Sequence, residues 1–205
     1  MEFIKDAIEV VVPLAGVVVS LVGAYVALSG LKTWKKQLKW KEDHQLAKDI
    51  LIVLTKYQNA VHQVRNPAIF EYEKIKVSND IRHTYTPEQV EYIEYESVYV
   101  ERLKPVSQYH SELQALGIEA DALWNKNITN LIKEIFHLEL KLALAIRSHL
   151  STMNPKISEA QKKYHIEKTP ETDKVIYFGI SSDDEFSNEF NEKKYPLVRV
   201  IQSKI

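Results

Sequence analysis

The hydrophobic pattern of this chain is dominated by one segment near its N-terminus. Twenty-one consecutive positions, from Val10 to Gly30, carry no formal charge. A helix rises about 1.5 Å per residue, so a segment of this length matches the roughly 30 Å hydrocarbon core of a bilayer. The pattern predicts a short N-terminal tail at 1–9 and a transmembrane helix at 10–31. A cleaved secretory signal, which typically has a shorter apolar core behind a basic start, is the alternative interpretation.

The charges that flank this segment predict its orientation. Lysines resist translocation, and the lysine-rich side follows the apolar segment, so we expect the C-terminus in the cytoplasm and the N-terminus outside. Tryptophans interleave with these lysines, as is typical of membrane–water interfaces. The sequence therefore predicts a single-pass plasma-membrane protein that contacts the lipid bilayer through Lys32, Trp34, Lys35, Lys36, Lys39, Trp40 and Lys41.

Small residues recur within the apolar segment on one face of the predicted helix. Such a stripe lets a second helix approach closely in lipid, which favours a homo-oligomer formed through this helix. The simpler interpretation is that glycine, alanine and serine are common in membrane helices. The predicted helix-association residues are Gly16, Ser20, Gly23, Ala24 and Ala27.

Helical spacing continues beyond the apolar segment. Apolar residues follow at steps of three and four as far as Asn66-Pro67, where the proline disfavours helix in the residue before it. This predicts a stalk helix at 32–66 that prolongs the transmembrane helix. Residues 154–180 have a mixed pattern, in which 175–178 is the only strand-like run. Further helices are predicted at 87–124, with a coiled-coil-like seam, at 127–152 and at 184–203.

These elements predict an all-α fold. An N-terminal transmembrane helix would continue into a long stalk helix that packs in a cytoplasmic antiparallel helical bundle, formed by residues 32–205. The helix at 87 has a good start signal, because Thr86 is a suitable N-cap, Pro87 suits the first turn and Gln89 completes a capping box.

The search for chemistry along the chain finds little. The chain has no cysteine and only five glycines, and it contains no glycine-rich phosphate loop. Glu134 and His137 have the Glu-x-x-His spacing of di-iron bundles, but those sites need a second copy, which this chain lacks. We therefore predict no catalytic residue, no metal site and no cofactor. A metal-dependent enzyme is a distant third hypothesis.

Three other groups have both a functional and a structural interpretation. His110 and His149 lie on apolar seams, where they could face each other and sense pH, although most such histidines simply bond a carbonyl or a carboxylate. A tyrosine-rich run at 92–109 suits a partner surface, but the preferred interpretation is that it covers the bundle. The acids at 183–185 suit a cation or, preferably, a helix N-terminus.

Several short segments, taken in order, resemble a diffuse group of uncharacterised bacterial single-pass membrane-anchored helical proteins. The resemblance implies a membrane-anchored helical architecture and a bacterial inner membrane, and it brings no activity with it. The segments that carry it are Thr33–Leu38, Val64–Pro67, Arg102–Val106, Glu119–Trp124 and Asp184–Ser187.

The sequence favours a non-catalytic, membrane-anchored helical interaction module, a sensor or scaffold whose bundle binds an unidentified protein partner. The alternative is a membrane-perturbing effector of a toxin-like or antiphage defence system. We predict no nucleic-acid partner, because the formal net charge is only −1 and the basic cluster adjoins the predicted span.

Overall fold

The computed structural model describes residues 2–124, 127–179 and 183–205. Side chains are described in the same ranges except at 2–19, 21 and 22. The chain is 84% helical, with no strand in the described ranges. A short 3-10 helix lies at Glu71–Glu73, and the α-helices are α1 (Glu2–Val64), α2 (Asn79–Arg82), α3 (Pro87–Trp124), α4 (Ile128–Met153), α5 (Glu159–Ile176) and α6 (Glu185–Gln202).

The predicted all-α bundle is confirmed. Helix α4 lies at its centre and packs against α3, α5 and α6. One face each of α3, α4, α6 and the part of α1 from Leu46 onward supplies apolar side chains to a continuous core, as the three- and four-residue spacing predicts. The largest completely buried apolar side chains are Tyr57, Tyr99, Ile50, Leu54, Leu113, Ile128, Ile132, Ile135, Leu142, Ile176 and Leu197.

Contacts divide the chain into two units, residues 1–45 and residues 46–205. The first unit consists of helix alone. From Gly23 to Lys41 its side chains are exposed, apart from Ser29, which is half-buried. The second unit contains the bundle.

The predicted single-pass placement in an inner membrane is wrong. Among the helices and side chains that the structure describes, none is both long enough and apolar enough to cross a bilayer. Most of the predicted span, residues 10–19, 21 and 22, lies outside the residues whose side chains are described.

Two helices begin with reciprocal capping bonds. At α3, the Gln89 amide donates to the Thr86 hydroxyl over 3.3 Å and the Thr86 amide donates to Gln89 Oε1 over 3.0 Å, as the sequence predicted. Ser158 and Gln161 form the same box at α5. These bonds satisfy amides that have no partner within the helix.

Helix α5 occupies most of the segment in which the sequence suggested mixed structure and a short strand. It ends at Ile176 with Tyr177 as its C-cap, so three of the four residues of the strand-like run are helical or cap the helix. The apolar run reflects burial: Ile176 is completely buried, and Val175 and Tyr177 pack against the core. A short apolar run fits a buried helix end as well as a strand.

Close contact between α3 and α4 depends on a glycine. A methyl group built on Gly117 would lie 2.6 Å from Cδ1 of Ile132, which is itself buried. The start of α4 is also fixed by α3, because the Asp121 carboxylate accepts hydrogen bonds from the amides of Ile128 and Thr129. An acid from the preceding helix thus supplies the N-terminal cap of α4.

Arg65, directly after α1, joins three parts of the bundle. Its side chain is 1% exposed, and its guanidinium forms a bidentate pair with Asp184, with distances of 2.8 and 2.9 Å. Further bonds reach the Ser187 hydroxyl and the carbonyls of residues 174, 175 and 177. The guanidinium also lies over the Phe186 ring, 4.4 Å from its centroid. The ends of α1 and α5 and the start of α6 therefore share one cation.

Replacing Arg65 should strongly destabilise the bundle. We expect Arg65→Ala to lower the free energy of unfolding by about 3 kcal/mol, because it leaves Asp184 and three carbonyls without their donor. Urea denaturation followed by circular dichroism measures this change. Arg147→Ala, at an exposed arginine, is the matched control and should change stability by less than about 0.5 kcal/mol. Equal effects of the two substitutions would contradict the role assigned to Arg65.

Candidate functional site

The first unit carries most of the residues that the sequence singled out. Seven of them, the lysines and tryptophans between Lys32 and Lys41, are all exposed. Of the helix-association residues, Gly23, Ala24 and Ala27 are exposed, whereas Gly16 lies outside the residues whose side chains are described. The membrane-interface and helix-association roles remain predictions from the sequence.

Four of the exposed apolar residues in this unit follow a heptad-like spacing. Leu31, Trp34 and Leu38 are separated by three and four residues, and Ala27 precedes them at the same spacing. We call these four residues the α1 stripe. Trp34 is 58% exposed. Side chains at such spacing lie on one face of a helix, where they form the contact seam of coiled coils.

In the bundle, His149 is the centre of a partly buried polar cluster. Its Nε2 atom lies 3.3 Å from the hydroxyl of Tyr95 and 3.1 Å from that of Tyr177. Tyr99 extends the cluster, with its hydroxyl 3.4 Å from that of Tyr177. On the other side of the ring, Nδ1 lies 3.9 Å from a buried oxygen of Asp173, which has no hydrogen bond among the described residues.

Burial sets the protonation state of this cluster. It lowers the pKa of His149, and the nearby Asp173 carboxylate only partly offsets that effect. Burial also raises the pKa of the Tyr99 and Tyr177 hydroxyls. Near neutral pH the ring is therefore uncharged, and its hydrogen bonds with the two tyrosine hydroxyls hold the bundle together.

His110 belongs to a different network. Its Nδ1 atom lies 2.8 Å from Oε2 of Glu139, and the Tyr57 hydroxyl donates to the same oxygen over 2.8 Å. The ring stacks on Phe136, with 3.6 Å between centroids. The predicted seam position is correct, but His110 and His149 bond to different partners.

The Glu134–His137 spacing has an ordinary structural explanation. Glu134 forms a salt bridge with Lys193 of α6 over 3.1 Å, and His137 is exposed. Among the described residues, no group of three or more histidine and acidic side chains is placed to hold a metal ion.

The acids at the start of α6 also act structurally. Asp184 accepts a hydrogen bond from the Ser187 amide as an N-cap and pairs with Arg65. Partial burial raises the pKa of Asp184, but the hydrogen bonds from Arg65 and Ser187 outweigh this and lower it to about 2. Phe186 is buried.

The tyrosine-rich run covers the bundle, as the preferred interpretation expected. Tyr99 is buried, and Tyr92, Tyr95 and Tyr109 are half-buried against the core. Tyr92 donates to Glu96 within α3 over 3.0 Å. The run is therefore part of the fold and leaves little tyrosine surface for a partner.

Sequence reasoning missed a surface on the central helix. Five exposed residues on the side of α4 away from the core form what we call the α4 face. A signal was present, because leucines at 140 and 144 stand one turn apart and out of phase with the buried positions. The α4 face consists of Lys133, His137, Leu140, Leu144 and Arg147.

Comparison of the chain with known protein families, curated proteins and solved structures finds no match. The resemblance described above therefore remains a prediction, and the function must be argued from the residues themselves.

The His149 cluster predicts a pH-dependent stability. Because the folded state binds its proton less readily than the unfolded chain, the contribution of His149 to stability should fall as the pH drops below its ordinary pKa of 6.5. Between about pH 7.5 and about pH 5, His149→Gln should lose less unfolding free energy than the wild type. His137→Gln, at an exposed position, is the matched control, and urea denaturation is the measurement. If both variants show the same pH dependence, His149 does not cause the effect.

Proposed function

We propose that this protein is a helical interaction module that associates with a second copy of itself through the α1 stripe. The observation that carries the proposal is the exposure of apolar side chains at heptad spacing on the single helix of the first unit. Helices in proteins gain most of their stability from packing an apolar face against another element. A second copy presents the same stripe and so can form a symmetric pair.

An antiparallel pairing fits both the apolar side chains and the charges. In the register that places Trp34 against Leu38 of the second copy, the symmetry axis creates that contact twice. In this register Lys35 and Glu42 of the other helix lie on the same edge of the seam, five residues out of step or about 7.5 Å apart along the axis, again twice. Both residues are exposed, so their side chains are accessible to a second copy. Opposite charges at the edge of a coiled-coil seam favour one orientation over another.

The proposed module is non-catalytic. His110, His149 and Asp184 each have a structural partner within the bundle. The membrane-perturbing effector suggested by the sequence gains no support from any contact among the described residues.

A charge exchange tests the proposed pairing. Lys35→Glu should weaken the dimer of the full chain roughly tenfold, because it turns two attractive pairs into repulsive ones. The double variant Lys35→Glu with Glu42→Lys should restore association. Sedimentation equilibrium measures the dissociation constant of each.

Lys36→Glu is the matched control, since it makes the same charge change one position further round the helix, outside the stripe. It should weaken the dimer far less than Lys35→Glu. A wild-type chain that is monomeric, or a double variant as weak as the single one, would contradict the proposal. Leu38→Gln should abolish the dimer whichever way the helices run.

A further inference from the structure

The α4 face combines two exposed leucines with two cations. Leu140 and Leu144 are each 58% exposed, although they lie on the helix that forms the centre of the bundle. Lys133 and Arg147 stand seven residues before and after Leu140, which is about two turns or 10 Å in each direction. All four side chains therefore lie along one line on the helix surface.

The charges on the flank of α4 are neutralised by α6, whereas those on the α4 face are not. Lys141 and Glu134 form salt bridges with Glu189 and Lys193. Among the described residues the structure shows no salt bridge for Lys133 or Arg147. On the α4 face, two leucines thus lie between two cations, Lys133 and Arg147, for which the described residues provide no salt bridge.

This arrangement indicates the chemistry of a partner. Single exposed leucines are common on protein surfaces. Here two leucines one turn apart match the anchor spacing of an amphipathic helix lying along another helix. Carboxylates near both ends of such a helix would pair with cations that stand about 20 Å apart.

We propose that the α4 face binds an acidic amphipathic helix of another protein. Apolar residues of the partner contact Leu140 and Leu144, and its acidic residues pair with Lys133 and Arg147. This goes beyond self-association through the α1 stripe. The α1 stripe is an unsuitable ligand for the face, because it is bordered by lysines and would bring like charges together.

A synthetic peptide tests the inference. The probe is a helix of about 18 residues with leucines at steps of three and four, flanked by glutamates, and the control peptide carries lysines in place of the glutamates. The labelled acidic peptide should bind the full chain, as measured by fluorescence anisotropy, and the basic peptide should not. Binding should weaken as salt is raised.

Variants of the α4 face separate the apolar contribution to peptide binding from the electrostatic one. Leu140→Gln with Leu144→Gln should weaken peptide binding at least roughly tenfold. Lys133→Gln with Arg147→Gln should weaken it severalfold and remove most of the salt dependence. Ile118→Gln, at an apolar α3 residue that is 59% exposed, is the matched control and should bind like the wild type.

Three outcomes would overturn the inference. The acidic peptide does not bind, it binds all the variants equally, or the basic peptide binds as well as the acidic one. A loss of dimer in the leucine variant would instead assign the face to a second copy of the chain. Because none of these substitutions lies in the α1 stripe, the result is independent of the proposed self-association.

Discussion

The bundle depends on one buried cation whose partners come from several helices. Arg65 brings the end of α1 against the end of α5 and the first turn of α6, and Asp184 holds it in a bidentate pair. A guanidinium removed from water is stable only with its charge balanced and its donors satisfied. The second residue after α5 also donates back, from the Phe178 amide to the Arg65 carbonyl over 3.1 Å. These bonds restrict how the helices can be arranged more narrowly than apolar packing alone.

A second arginine serves a similar purpose in the segment that directly follows Arg65. Arg102 on α3 pairs with Glu73, with distances of 2.7 and 3.0 Å, and donates to the carbonyls of Asn66 and Ala68. The hydrogen bonds from Arg102 lower the pKa of Glu73 despite its partial burial. The irregular segment that follows α1 is thus held in place by side-chain bonds.

Features that depend on neighbouring residues could be predicted from the sequence, whereas contacts between distant residues could not. The Thr86 capping box and the helical periodicity of α3 and α4 depend on neighbouring residues. The Ser158–Gln161 box gives the same kind of signal and would have identified α5. In contrast, Asp121 caps the helix that follows its own, and Tyr177 reaches His149 from beyond α5, so neither partner could be chosen from spacing. The α4 face was hidden because leucine both fills cores and promotes helix formation.

The separation of Arg65 and Asp184 has a consequence for synthesis on the ribosome. The two residues stand 119 positions apart, so the ribosome adds Arg65 to the chain long before Asp184. Until Asp184 emerges, burying the guanidinium is unfavourable and the end of α1 stays hydrated. The first helices can form during translation, but the nascent chain closes its core only when α6 arrives. The ion pair therefore ties closure of the core around Arg65 to the synthesis of α6.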